Sequence, residues 1–355
     1  MLSLVICTLD EHEAIGGVLR ELDEHLRDIS HEIIVVDDSA DNRTADVVLA
    51  YGAQHPHVRL IRRHLASGLS SAAIKGWDAA RGRFLAIMDG DGQHDPSLMR
   101  ALLDKLSVPD VDVAVASRYL DDSRSGLHGL RHRLSRAGTW LTDVTLGVPL
   151  ADPLSGCFAM TREWYAQVRR ELSGLGFKIL IDVVASGTRK PHTAQVPTLL
   201  RARAGGESKL DTRVIIDLIA LLIEKRTRGR FTAHALMHGM AVLSALCAQW
   251  LSLGLLRQLS LPLWLALLLS AGFGLAARFA MNLLMTPRTR RPDNAHALRR
   301  QWVAFCTSRW TDVPLNTCFA LALCMAHCPW SIAVLAGVLL AEFRYCFGVN
   351  TRASA

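Results

Sequence analysis

The sequence predicts an α/β chain in two parts: a doubly wound, mostly parallel sheet domain, followed by an all-α transmembrane domain of about four helices. Three observations lead there. Apolar runs of strand length alternate with amphipathic segments from Leu2 to about Ser117. One of those runs, Phe84-Leu85-Ala86-Ile87-Met88, empties into the acidic, glycine-containing turn Asp89-Gly90-Asp91-Gly92-Gln93-His94-Asp95-Pro96. Beyond Phe231 the chain turns apolar over lengths that cross a bilayer.

Taken in order, the strand candidates are Leu2–Cys7, Glu32–Val36, Val58–Ile61, Phe84–Met88 and Val111–Ala116. Near-continuous apolar runs of this length suit strands buried on both faces. Ala14–Leu26 and Ser70–Ala80 are amphipathic and read as crossover helices. Strands alternating with helices imply right-handed crossovers and a mostly parallel sheet. Asp121–Arg136 breaks the rhythm; with Gly126, Gly129 and many basic residues it reads as a loop leading into a helix. Arg201–Lys209 is a second polar, glycine-containing loop. Val214–Ile223 is almost wholly apolar and is followed by Lys225, Arg226, Arg228 and Arg230. That pattern suits a helix at a membrane surface with its basic groups toward anionic headgroups. It equally suits a core helix that closes the preceding domain. The expected boundaries are 1–210 for the sheet domain, 211–230 for the juxtamembrane helix and 231–350 for the membrane domain.

Phe231–Leu256 holds 26 residues. At ~1.5 Å rise per residue they cover about 39 Å, against a hydrocarbon core of about 30 Å. The expected spans are 231–256, 259–285, 305–328 and 330–348, the last two being weaker. The loop after the second span carries Arg288, Arg290, Arg291, Arg299 and Arg300. By the excess of positive charge on cytoplasmic loops, it faces the cytoplasm. An even number of spans then puts both termini and the sheet domain there too. The N-terminus opens on a strand and lacks the charged and apolar regions of a signal peptide, which agrees. An alternative is two spans plus an interfacial pair. Arg309, Asp312, Glu342 and Arg344 are costly at membrane depth, so they are expected to pair or to lie near the interface.

The 355 residues are 50% hydrophobic with a net charge of +7. Only 4 are Tyr, and no basic stretch is interleaved with aromatics, so the positive charge points to an anionic bilayer and not to nucleic acid. None of the eight cysteines forms a C-x-x-C pair, and buried free thiols are expected. Packing, and not zinc binding, is also the expectation for Cys324-Met325-Ala326-His327-Cys328.

Asp89 and Asp91 are separated by one residue at the end of a strand, where two carboxylates can meet one divalent cation. Mg²⁺ and Mn²⁺ prefer carboxylate oxygens and the oxygens of bound phosphates. Strand ends feeding glycine-rich turns are where open α/β sheets take ligands.

The stretches Leu4-Val5-Ile6-Cys7-Thr8-Leu9-Asp10-Glu11, Val35-Val36-Asp37-Asp38, Gly68-Leu69-Ser70-Ser71-Ala72 and Met88–Pro96 resemble the successive motifs of family 2 glycosyltransferases. Three more stretches narrow the likeness: Asp152-Pro153-Leu154-Ser155-Gly156-Cys157-Phe158-Ala159, Gly176-Phe177-Lys178-Ile179-Leu180 and Arg203-Ala204-Gly205-Gly206-Glu207-Ser208-Lys209-Leu210. Together they resemble polyprenol (dolichol)-phosphate mannose synthases. The tail is similar to the four-helix GtrA-like membrane domain, on Arg278-Phe279-Ala280-Met281-Asn282 and Phe343-Arg344-Tyr345.

The resemblance implies a GT-A fold over roughly Leu2–Leu210. It also implies transfer of a hexose, mannose from GDP-mannose in the first instance, to polyprenyl phosphate at the cytoplasmic membrane face. Asp89, Asp91 and Gln93 would bind Mg²⁺ or Mn²⁺ with the donor phosphates. Thr8, Asp10 and Glu11 would lie along the base and ribose, and Asp38 would accept from base N–H groups; all four also suit N-caps. Arg118, Arg131 or Arg133, Arg203 and Lys209 would grip the pyrophosphate and the acceptor phosphate, since a guanidinium fork matches phosphate geometry. Asp152 would orient or activate the acceptor, and Asp182 would belong to a structural polar pair. Cys7, Leu9 and Asp10 depart from the family's usual proline, tyrosine and asparagine, which bears on base specificity. Gly90 and Gly92 loosen the acidic turn. A UDP-glucose donor, or a non-catalytic lipid-linked-sugar flippase or scaffold, are the alternatives.

Overall fold

The computed structural model describes residues 1–63, 68–118, 120, 147, 150–174, 176, 178–201, 212–227, 230–286, 292 and 294–353. Two compact units divide the chain, Met1–Ala233 and His234–Ala355.

The first unit is built on a seven-stranded sheet of order β3-β2-β1-β4-β6-β5-β7. Its strands are β1 (Leu2–Thr8), β2 (His31–Asp37), β3 (Val58–Arg62), β4 (Phe84–Asp89), β5 (Val113–Ser117), β6 (Phe158–Thr161) and β7 (Thr193–Pro197). Strands β1 to β4 pair in parallel, as do β5 and β7; β6 alone runs antiparallel, between β4 and β5. All five predicted strands form. β6 and β7 were not anticipated.

Every residue of β1 is buried, and its side chains divide by alternation. Leu2, Leu4 and Ile6 enter one core with α1 (Ile15–His25), α2 (Arg43–Gly52) and α4 (Leu98–Leu106). Val5 and Cys7 enter the other, with α3 (Leu69–Ala79), α5 (Arg162–Val168) and α6 (Ile179–Ala185). The second core is anchored by Trp77, which is fully buried, donates to the Ala86 carbonyl at 3.1 Å and meets Phe158 and Tyr165 edge to face. This is a GT-A-like α/β domain, with helices on both faces of a mostly parallel sheet.

Helix α7 (Thr212–Arg226) belongs to this unit. Its Leu221 and Leu222 pack with Ile181 of α6. Its Lys225 ammonium lies 2.6 Å from the buried Asp182 carboxylate, which also accepts from Ser173 and Gly174. Ile219 and Ile223 remain exposed on the same helix. The helix therefore has a docked side and an apolar free side.

The second unit holds α8 (Ala233–Leu256), α9 (Leu263–Met285), α10 (Ala295–Ser308), α11 (Asp312–Met325) and α12 (Trp330–Ala353). Among the described residues, two stretches are long and apolar enough to cross a membrane, Ala235–Leu259 and Leu263–Met285. Leu243, Leu251, Leu255 and Phe273 point outward, whereas Gln249, Arg278, Arg309, Asn316 and Glu342 are buried. Such an inverted pattern suits a lipid surround. Arg309 meets Asp312 at 2.8 Å and Glu342 at 3.1 Å, so three of the expected costly charges pair with one another. The stretch expected to span at 305–328 is interrupted: α10 ends at Ser308 and α11 begins at Asp312. Fourteen residues of α11 cover about 21 Å, short of a hydrocarbon core. One cysteine expectation is also corrected. Cys7 and Cys157 are buried, but Cys247 and Cys318 are exposed, because they lie on the outward apolar faces of their helices.

Candidate active site

In the order β3-β2-β1-β4 the chain winds outward from β1 to β3, then returns to β4 on the other side of β1. The crevice beyond the carboxyl ends of β1 and β4 is thus a topological switch point. Register aligns Cys7 with Asp89 and Thr8 with Asp37 across it.

On the β1–β2 side, polar groups hold one another. Thr8 donates to Asp37 at 2.9 Å, Ser39 donates to the same oxygen at 2.6 Å, and the Asp10 N–H donates to Ser39 at 2.8 Å. Asp10 adopts φ +57°, the left-handed region that asparagine and aspartate tolerate. Asp38 is gripped by both arms of Arg63, at 2.7 and 2.6 Å, and accepts from the Gly68 N–H at 3.2 Å. Arg63 also donates to Ser71 and to the Gly68 carbonyl. Asp38 therefore fixes the start of α3, with its carboxylate nearly buried against Arg63. Glu11 begins the turn into α1, its carbonyl accepting from Ala14 and Ile15.

On the β4 side the acidic turn is braced at its far end. Gly92 takes φ +75°, and the Gln93 N–H donates to Asp91 at 3.1 Å. The Gln93 amide donates to the Arg201 carbonyl at 3.2 Å, and Arg201 binds Asp95 and Glu21 at 2.6 and 2.7 Å. Hydrogen bonds from Ser97, then Arg201, hold the Asp95 carboxyl down at about 2. Asp89 stays open, with 37% of its side chain exposed, and His94 Nε2 stands 3.7 Å away. Burial, and then the charge of Asp89, push the neighbouring Cys7 and Cys157 thiols up, so neither is a thiolate at neutral pH.

The residue facing Asp89 must be small. A Cβ on Gly156 would stand 2.3 Å from Asp89 Oδ2. Asp89 and Asp91 offer oxygen donors only, and the space kept by Gly156 leaves Asp89 accessible. That donor set fits a hard divalent cation that completes its sphere with phosphate oxygens.

Arg118 and Asp152, expected as separate catalytic groups, form one unit. Arg118 donates to Asp152 at 2.5 and 2.8 Å, and Asp152 is fully buried. A carboxylate so engaged orients the guanidinium. Lys178 joins them. Burial first, and then Arg118, hold its ammonium below the ordinary lysine range, while Asp152 and Asp89 pull the other way. Sequence reasoning quoted Lys178 within a motif without giving it a role, and passed over Arg63. The available signal for Lys178 was its place as a lone cation in Phe177-Lys178-Ile179-Leu180-Ile181. Arg133, Arg203 and Lys209 lie outside the described residues.

The profile of the family described as Glycosyl transferase family 2 matches residues 3–169. A dolichol-phosphate mannosyltransferase from Pyrococcus furiosus is 32% identical over 221 residues, 61% of this chain and 61% of its own. The dolichol-phosphate mannosyltransferase of Saccharomyces cerevisiae is 32% identical over 201 residues, 54% of this chain and 73% of its own. The chain thus spans less than two thirds of the first relative's length. Among solved structures, glucosyl-3-phosphoglycerate synthase from Mycobacterium tuberculosis, in complex with Mn²⁺, UDP-glucose and phosphoglyceric acid, superposes with a TM-score of 0.51 at 20% identity, over 64% of this chain and 80% of that one. At that identity the likeness speaks for the fold alone. With the strand order, the switch-point crevice and the open acid at its rim, these matches establish that the chain belongs to glycosyl transferase family 2.

Proposed function

We propose that the chain transfers a hexose, mannose from GDP-mannose in the first instance, to the phosphate of a polyprenol at the cytoplasmic membrane face. One observation carries the reading: the open Asp89 at the switch point shares its surroundings with the Arg118–Asp152 pair and the half-buried Lys178. Acids for a donor diphosphate and cations for an acceptor phosphate thereby meet at one place. The relatives named for dolichol-phosphate mannosyl transfer support the choice of acceptor.

Asp89 and Asp91, with Gln93 on the same turn, would hold Mg²⁺ or Mn²⁺, which when bound offsets charge on the departing diphosphate. Thr8, Asp10 and Glu11 line the β1 rim for the nucleoside. Arg118, held in orientation by Asp152, and Lys178 bind the acceptor phosphate. Arg203 and Lys209, from the last family motif, and Arg133, from the basic loop before it, join this grip. A phosphate oxygen then attacks the anomeric carbon, the bond from that carbon to the diphosphate oxygen breaks, and the configuration inverts. No strong base is needed, because a phosphate monoester with a second pKa of about 6 is already largely anionic at neutral pH. The apolar free side of α7 and the spans of the second unit keep the site at a lipid that cannot leave the bilayer, raising its effective concentration. An even number of spans, with both termini cytoplasmic, remains our reading of the topology.

Membranes containing the chain, incubated with a panel of labelled nucleotide sugars, test this directly. Label from GDP-mannose is expected in the organic-soluble lipid fraction. Label from UDP-glucose instead would replace the donor, and no lipid label from any sugar would end the proposal.

The depressed Lys178 gives a second test. Its ammonium is present below its lowered pKa and is lost as pH rises through it, earlier than for an ordinary lysine near 10.4. kcat/KM for the acceptor should therefore fall on an alkaline limb. Lys178→Arg, whose charge persists, should move that limb upward. Superimposable profiles for the two proteins would remove Lys178 from the phosphate grip.

A further inference from the structure

At the opposite edge of the sheet, where β2 and β3 begin, a second cluster of ligating groups stands apart from the chemistry above. His31 opens β2, His57 immediately precedes β3, and Asp23 lies in the last turn of α1. Six residue steps along β2 separate His31 from Asp37 at the crevice, about 20 Å at ~3.3 Å per residue.

One ligand atom from each of Asp23, His31 and His57 lies within 4.8 Å of the other two. His57 Nε2 is 2.7 Å, and His31 Nε2 3.6 Å, from the same Asp23 Oδ1. These separations bracket the edge of a tetrahedron, about 3.3 Å for bonds of 2.0–2.1 Å. The surrounding contacts orient each donor. His31 Nδ1 lies 2.8 Å from the Ile29 carbonyl, which only accepts, so the ring proton sits on Nδ1 and a neutral His31 presents a bare lone pair at Nε2. That Nε2 is sealed from solvent and makes no hydrogen bond. Asp23 Oδ2 is occupied by Tyr51, at 2.5 Å, and by His55 Nδ1, at 3.0 Å, which leaves Oδ1 turned toward His31 and His57. Histidines that ligate metals are held in this way, with the second ring nitrogen on a backbone carbonyl and the carboxylate's outer oxygen hydrogen-bonded.

A bare imidazole lone pair facing a part-buried carboxylate oxygen is unfavourable, and either a second ring proton or a metal cation between them relieves it. We infer that Asp23, His31 and His57 form a binding site for a borderline transition-metal cation such as Zn²⁺, separate from the oxygen-donor site at Asp89 and Asp91. Nitrogen donors select this class over Mg²⁺. Binding displaces the proton that His57 Nε2 now shares with Asp23 Oδ1, releasing it to solvent. The fourth position lies toward solvent, and the bound ion ties α1 to the starts of β2 and β3.

The test uses the full chain in detergent carrying Asp89→Asn and Asp91→Asn, so that the oxygen-donor site does not contribute. Titration with Co²⁺ is expected to give one saturating equivalent with the visible absorption of a four-coordinate nitrogen/oxygen site. Zn²⁺ should displace it and raise the midpoint of thermal unfolding. His31→Asn and His57→Asn should each abolish the absorption, and Tyr51→Phe should weaken uptake by about 10–100-fold. Metal-edge absorption on the zinc-loaded chain with all histidines intact counts histidine ligands even if a variant fails to fold; two are expected. No saturable uptake, or uptake that both histidine variants retain, would overturn the inference. Stabilisation that follows pH alone and ignores added metal would do the same.

Discussion

Replacing Asp89 by alanine is expected to lower kcat by at least about 10²–10³-fold, the loss seen when one preorganised electrostatic group is removed from a transition state. Asp89 ends β4, stands open at the switch point, and has only glycine opposite it at 156. Membrane insertion should be unchanged, because the candidate spans begin at Ala235. Gly156→Ala should reproduce much of the loss with the acid still present, since its Cβ needs the space that Asp89 Oδ2 occupies. Asp28→Ala serves as the control: it breaks an exposed, solvent-screened pair with Arg100 and should leave kcat alone. Initial rates of lipid-linked sugar formation for the three proteins provide the comparison. Full activity in Asp89→Ala under chelation would remove the acidic turn from the mechanism.

Lys225→Met is expected to produce the largest change in stability. Asp182 is fully buried, and the Lys225 ammonium beside it is nearly so. Removing one partner of a buried pair strands the other charge, at a cost of about 3–5 kcal/mol. The Ser173 and Gly174 hydrogen bonds to Asp182 persist and place the effect toward the lower end. Adding Asp182→Asn should recover part of the loss, because the stranded charge is then gone. Denaturant midpoints for the single and double variants separate these outcomes. A single variant as stable as the parent would mean that Asp182 does not need its lysine.

The central strands were legible because β1, β2, β4 and β5 are covered on both faces and spell continuous apolar runs. β7 was not, since Thr-Ala-Gln-Val-Pro is a half-exposed edge strand with little apolar signal. β6 has only four residues, too short for a period to register. Within the site, the acidic turn could be read from the change of a run into glycines and acids. The partnerships could not. Arg63 reaches Asp38 across 25 residues and Arg118 reaches Asp152 across 34, contacts that only the closed sheet creates. The likeness of the tail to a GtrA-like domain rests on its sequence motifs, and the break after Ser308 falls at the polar stretch Arg309-Trp310-Thr311-Asp312, which the expected span 305–328 ran across.

The lysine clamp at Asp182 has a mechanical consequence. Lys178 immediately precedes α6, and Asp182 lies one turn further along it, fastened to α7 by Lys225. The clamp therefore holds the short helix that follows the crevice lysine against α7, so the placing of that ammonium depends on a residue from a later part of the chain.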